Sequence, residues 1–156
     1  MEKRTVLTTG ANGGIGLASV LEVAASGHRS IGTVRSAAGV ETVERAARER
    51  GVSVETQLLD VNDPDGCADV IDRTRPDVLV NNAGYALFGA VETTTEEEAR
   101  QLLDTLLFSS VRLARLALPN MRQRGWGRIL FMSSLFGRVA APPLGWYAAA
   151  KHAIEG

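Results

Sequence analysis

Short apolar runs that end in glycine, asparagine or serine alternate with amphipathic stretches along the chain. Thr5, Val6 and Leu7 form the first run. It breaks at Thr8-Thr9-Gly10-Ala11-Asn12-Gly13-Gly14-Ile15-Gly16 before Leu17-Ala18-Ser19-Val20-Leu21. That order predicts a strand, a glycine turn and a helix over Ile15 to Ser26, with Ile15, Val20, Val23 and Ala24 on its buried face and Gly27 closing it. Ser30 to Val34 reads as a second strand ending at Arg35, and Val40 to Arg50 as a helix closed by Gly51. Val52 to Leu59 reads as a third strand ending at Asp60, with Pro64 opening a helix that runs to Thr74.

Asp77-Val78-Leu79-Val80 is a fourth strand, apolar as strands covered on both faces are, and it runs into Asn81-Asn82-Ala83-Gly84. Thr95-x-x-Glu98 is a capping box that opens the longest helix, which carries Leu103, Leu106, Leu107, Leu113 and Ala117 at helical spacing. Pro119 is expected to bend or end it. Arg128 to Met132 is a fifth strand closing on Ser133-Ser134, and a loop with Pro142 and Pro143 leads into a last helix.

Strands and helices in this alternation predict an α/β fold, a doubly wound parallel sheet of Rossmann type with five strands and right-handed crossovers. Gly10, Arg35, Asp60, Asn82 and Ser134 all fall at strand tips. Ligands of open α/β sheets bind at the carboxyl ends of the strands, so these residues converge on one crevice.

Glycines suit the first turn because a chain reversing from strand to helix needs positive φ, and bare backbone lets a diphosphate reach the helix N-terminus. The spacing Gly10, Gly14, Gly16 is G-x-x-x-G-x-G. Taken alone, it fits a tight strand-to-helix turn as well.

A length of 156 residues suits one domain with a sizeable core. The net charge of −1 argues against a nucleic-acid surface, which would need an excess of Lys and Arg. Cys67 is the only cysteine, so no intramolecular disulfide forms; it reads as a small buried helix residue in a reducing compartment. No apolar run approaches the ~18 residues of a membrane span, and the cytoplasm is the expected location.

Ser134, Tyr147 and Lys151 follow the fifth strand, and Tyr147 and Lys151, four apart, share a helix face. Together with T-G-x-x-x-G-I-G at Thr9 to Gly16, N-N-A-G at Asn81 to Gly84 and Y-x-x-x-K at Tyr147 to Lys151, this resembles the short-chain dehydrogenase/reductase family from Thr5 onward. The resemblance implies an oxidoreductase that moves a hydride between a nicotinamide cofactor and a carbonyl or secondary alcohol. Tyr147 would be the general acid, Lys151 its neighbour and a holder of the nicotinamide ribose, and Ser134 the partner of the substrate oxygen. A lysine ammonium ~5 Å away at an effective dielectric of ~20 favours a phenolate by about 3 kcal/mol.

By the same resemblance Gly10, Asn12, Gly14, Ile15 and Gly16 would hold the cofactor, Asp60 and Val61 would meet its adenine, and Asn82, Ala83 and Gly84 would line its groove. For Asp60 a turn role, and for Asn81 and Asn82 satisfied turn amides, are the alternatives. Arg35 stands where family members that prefer NAD offer an acid, and a guanidinium suits a 2′-phosphate, so NADP is expected over NAD. Arg112 and Arg115 read as a solvated or subunit-facing side of the long helix, and a homo-oligomer through that helix and the Tyr147 helix is expected.

Two features depart from the family pattern. Family members place an asparagine in the long helix to support a water chain to the lysine, whereas Asp104-Thr105-Leu106-Leu107 puts Leu106 there, which neither donates nor accepts a hydrogen bond. The sequence also stops five residues after Lys151, where family members continue through two further strands. The expectation is a single NAD(P)-binding domain, 1–156, incomplete at its C-terminus, with strand five as an apolar edge that self-associates. The alternative function is a catalytically impaired nucleotide-binding fragment acting as an interaction module.

Overall fold

The computed structural model describes residues 2–156. In chain order it contains β1 (Thr5–Thr9), α1 (Gly14–Ala25), β2 (Arg29–Val34), α2 (Ala37–Arg50), β3 (Glu55–Leu58), α3 (Pro64–Thr74) and β4 (Val78–Asn81). α4 (Glu96–Leu103), α5 (Ser109–Gln123), β5 (Arg128–Phe131) and α6 (Gly145–Glu155) follow. A π-helical segment, Asp104–Phe108, joins α4 to α5, and a 3-10 turn, Leu135–Gly137, precedes α6.

The five strands are parallel in the order β3-β2-β1-β4-β5, the doubly wound arrangement expected. The apolar runs explain the register. Ile31, Leu7, Leu79 and Ile129 lie side by side across β2, β1, β4 and β5. They face Cys67, Val70 and Ile71 of α3 and Leu113, Ala117 and Met121 of α5. Val34 faces the other way, onto Val20 and Leu21 of α1 and Val43 and Ala47 of α2. Full burial of one such leucine is worth about 1.5–3 kcal/mol. A third cluster joins Leu102, Leu106 and Ala150 with Trp146 and Tyr147, and so fixes α6 on α4 and the π-helical segment.

Several local expectations are revised. Ile15 is 60% exposed, because it sits on the open first turn of α1 instead of its packed face. α2 begins at Ala37, where Ser36 caps it by accepting the Gly39 N–H at 3.3 Å. β3 spans only Glu55–Leu58 of the run from Val52. Pro119 does not end α5; it lies on the exposed side, and the helix continues to Gln123.

The π-helical segment is a feature the heptad-like leucines conceal. The Ser109 N–H bonds the Asp104 carbonyl, five residues back. The Ser109 hydroxyl takes the Thr105 carbonyl at 2.7 Å and the Ser110 hydroxyl the Leu106 carbonyl at 2.9 Å. Side-chain donors thus stand in for backbone donors that the wide turn displaces.

Candidate nucleotide cleft and catalytic residues

A cleft of about 370 Å³ opens at the carboxyl ends of β1, β2 and β4. Its floor is the glycine turn. Gly10 adopts φ +68, and a Cβ there would come within 2.8 Å of the Ala83 Cα. At Gly16 a Cβ would collide with the Gly10 carbonyl oxygen and reach 2.5 Å from the Asn82 Nδ2, so the turn and the β4 tip close only around glycine. The Thr9 hydroxyl accepts the N–H groups of Asn82 and Ala83 at 3.0 and 2.9 Å, and the Asn82 Nδ2 donates to the carbonyls of Thr9 and Gly10 at 2.9 and 3.2 Å. Asn82 therefore lines the cleft and at the same time braces its floor.

No side chain caps α1, and its first turn carries no acid. Its free N–H groups and positive dipole end are thus available to an anion. Gly10, Asn12, Ile15 and Gly16 line the cleft together with Gly13; Gly14, at φ +49, starts the helix just outside the lining.

Arg35 reaches the rim from the end of β2, exposed and without an ion pair or hydrogen bond among the described residues. Asp60 and Val61 form the wall beyond it. The Asp60 Oδ1 accepts the Asn62 N–H at 2.9 Å, a turn role that leaves the carboxylate on the exposed lip. Tyr85 also enters the lining; partial burial holds its phenol above the usual range, with Glu98 adding to the shift and the Arg35 charge only partly opposing it. Nothing in the Tyr85 sequence context singled it out.

Tyr147 and Lys151 come together on α6, with the Lys151 Nζ 5.7 Å from the Tyr147 ring centroid. Lys151 is only 6% exposed, and its ammonium donates to the Met132 carbonyl at 2.6 Å, just past the end of β5. Burial lowers its pKa. Ser134 follows two residues later and caps the 3-10 turn by accepting the Phe136 N–H at 3.2 Å. Phe136 stands edge-on to Tyr147, with centroids 6.2 Å apart.

Ser134, Tyr147 and Lys151 lie outside the cleft lining. Leu106 links the two regions. It is 2% exposed, packs in the Tyr147 cluster and fills the space beside Gly84, so that a Cβ on Gly84 would collide with it.

Arg112 corrects its expected place on a solvated face. It is half-buried, and its Nη1 donates to the Val61 carbonyl at 3.0 Å. Asn81 is the opposite case, since its amide is buried with neither end hydrogen-bonded among the described residues. No described helix is long and apolar enough to cross a membrane.

Comparison with known proteins places this geometry in a class. A family model described as short chain dehydrogenase matches residues 4–156. The chain belongs to that family. The 3-ketodihydrosphingosine reductase of Bacteroides thetaiotaomicron is 32% identical over 161 residues, covering 100% of this chain and 56% of that protein. A solved structure of a provisionally named NAD(P)-dependent gluconate 5-dehydrogenase from Beutenbergia cavernae, with NADP bound, has a TM-score of 0.88 at 33% identity, over 97% of this chain and 62% of that one. Xylitol dehydrogenase bound to NAD+ has a TM-score of 0.89 at 27% identity, over 97% of this chain and 60% of that one. The chain thus spans little more than half the length of the proteins it matches.

Proposed function

We propose that the chain is a single nucleotide-binding domain of an NADP(H)-dependent oxidoreductase acting on a carbonyl or secondary alcohol. The observation that carries this reading is a cleft at an uncapped, glycine-floored helix N-terminus whose Gly84 wall is joined through Leu106 to the Tyr147–Lys151 pair. The turn fits a dinucleotide, because the two positions that would carry a Cβ into its floor are glycines.

When bound, the nicotinamide nucleotide supplies or accepts the hydride. Gly10, Asn12, Ile15 and Gly16 with the adjoining Gly14 would cradle its diphosphate. Asp60 and Val61 would flank the adenine, and Asn82, Ala83 and Gly84 the middle of the groove. Arg35 would receive the 2′-phosphate, and a guanidinium in place of an acid at the tip of β2 supports NADP over NAD. Ser134 would hold the substrate oxygen, and the Tyr147 hydroxyl would give it a proton. Lys151, anchored on Met132, would keep positive charge beside the ring and reach the nicotinamide ribose. We place the protein in the cytoplasm. The exposed Phe108 and Val111 near the start of α5 support pairing of two copies through α5 and α6.

Leu106 favours a second reading, a nucleotide-binding protein with little turnover, because an apolar side chain fills the place of the relay asparagine. One experiment separates the two. NADPH oxidation is followed against a panel of ketones and aldehydes for the wild type and Tyr147→Phe. Turnover that falls about a hundredfold in the variant, with NADPH binding kept, supports the enzyme; equal residual rates in both proteins support the second reading.

A further inference from the structure

The wall of the cleft at Asp60–Asn62 is a short connection between β3 and α3, exposed at Asp60 and Asn62. Its own turn does not fix its height against the cleft, because the Asp60–Asn62 bond is internal to it. The Leu59 N–H bond to the Val34 carbonyl at 2.9 Å holds its root to β2, and two contacts from the long helix hold Val61 and Asn62. The Arg112 guanidinium, on α5, donates to the Val61 carbonyl at 3.0 Å, a carbonyl that the buried Cys67 thiol also reaches at 3.3 Å. The Asn62 Nδ2 donates to the Thr105 hydroxyl at 2.9 Å, and Thr105 belongs both to the π-helical segment and to the cleft lining.

We propose that Arg112 and the Asn62–Thr105 pair are positioning contacts that set the adenine wall of the cleft, so that nucleotide affinity depends on the long helix. The inference rests on the reading of this cleft as a dinucleotide site with adenine at Asp60–Val61. Charge-assisted bonds from a planar guanidinium fix direction as well as distance. The Val61 side chain is buried, so what the wall offers a base here is backbone and the Asp60 lip, and a shift of the strand-end carbonyl moves both. Arg112 lies outside the cleft lining, so it acts through Val61.

The test measures dissociation constants and stoichiometries for NADPH and for 2′,5′-ADP, the adenosine half alone, well below the thermal midpoint. Wild type, Arg112→Met, Arg112→Lys and Asn62→Ala are compared. The expected result is that Arg112→Met weakens NADPH and 2′,5′-ADP by the same factor, about fivefold or more, at unchanged stoichiometry. Arg112→Lys, which keeps one donor, recovers part of the loss. Asn62→Ala cuts the second tether without touching the α5 core, and weakens both ligands in the same way even if Arg112→Met fails to fold. Unchanged constants, or a fall in stoichiometry at unchanged constants, would overturn the inference and leave these residues as scaffold. A wild type that binds neither ligand would overturn the cleft reading itself.

Discussion

The Lys151 ammonium donates to the Met132 carbonyl at 2.6 Å, which ties the middle of α6 to the tip of β5 and leaves the charge buried. No carboxylate forms an ion pair with it among the described residues, and burial alone lowers its pKa from the ordinary lysine value of 10.5. Burial of this charge, offset by the single bond to Met132, is a cost that the fold carries at Lys151.

That cost has a pH signature. The folded state binds this proton more weakly than the unfolded chain, so the penalty is full below the depressed folded pKa and relieved as pH rises from there towards 10.5. Relative to Lys151→Met, the wild type should gain stability between neutral pH and about pH 10. Urea denaturation of both proteins at the two pH values checks this. Parallel stabilities would show that Lys151 titrates alike in the folded and unfolded states.

Arg35 sits on the rim of the cleft without an ion pair or hydrogen bond among the described residues. Replacing it by serine should weaken NADPH about tenfold or more, the scale of a charge-assisted bond to phosphate, and leave NADH within about twofold. Parallel titrations of the two nucleotides read the ratio. Equal effects on both would assign Arg35 to general attraction of anions.

Leu106 is 2% exposed, and asparagine shares its branched shape and its number of side-chain heavy atoms, though not its volume. Leu106→Asn should speed NADPH-dependent carbonyl reduction about threefold to tenfold by restoring a polar link toward Lys151, at some expense of stability for burying an amide. Steady-state rates on one ketone decide it; an unchanged or slower rate contradicts the role given to Leu106.

Among the described residues β5 pairs with β4 alone, and Leu130 and Phe131 on it are 50% and 41% exposed. An apolar edge strand invites pairing with another chain. The chain should self-associate with rising concentration in light scattering, and Leu130→Lys should shift it toward the monomer. A wild type that stays monomeric at high concentration would remove the edge as a contact.

The strands and the glycine turn were readable because period and composition act locally: the Leu7, Ile31, Leu79 and Ile129 row comes from four separate apolar runs. The capping box at Thr95 and Glu98 was readable for the same reason, and both of its bonds form. Tyr147 and Lys151 meet as helical spacing requires. Three features were not readable. The π-helical turn depends on one bond skipping a residue, and Ser109-Ser110 is its only compositional trace. Arg112 meets a carbonyl 51 residues earlier in the chain, a contact that only the packing of α5 on α3 creates. Ile15 sits at the helix mouth, where its apolar side chain counted toward a buried face that begins only later, at Val20 and Leu21.

The most direct test of the account is a titration of the wild-type chain with NADPH and with NADH, following nucleotide fluorescence. The account predicts one saturable site per chain that prefers NADPH by about tenfold or more, the contribution assigned to Arg35. Binding of neither nucleotide, or a preference for NADH, would contradict it.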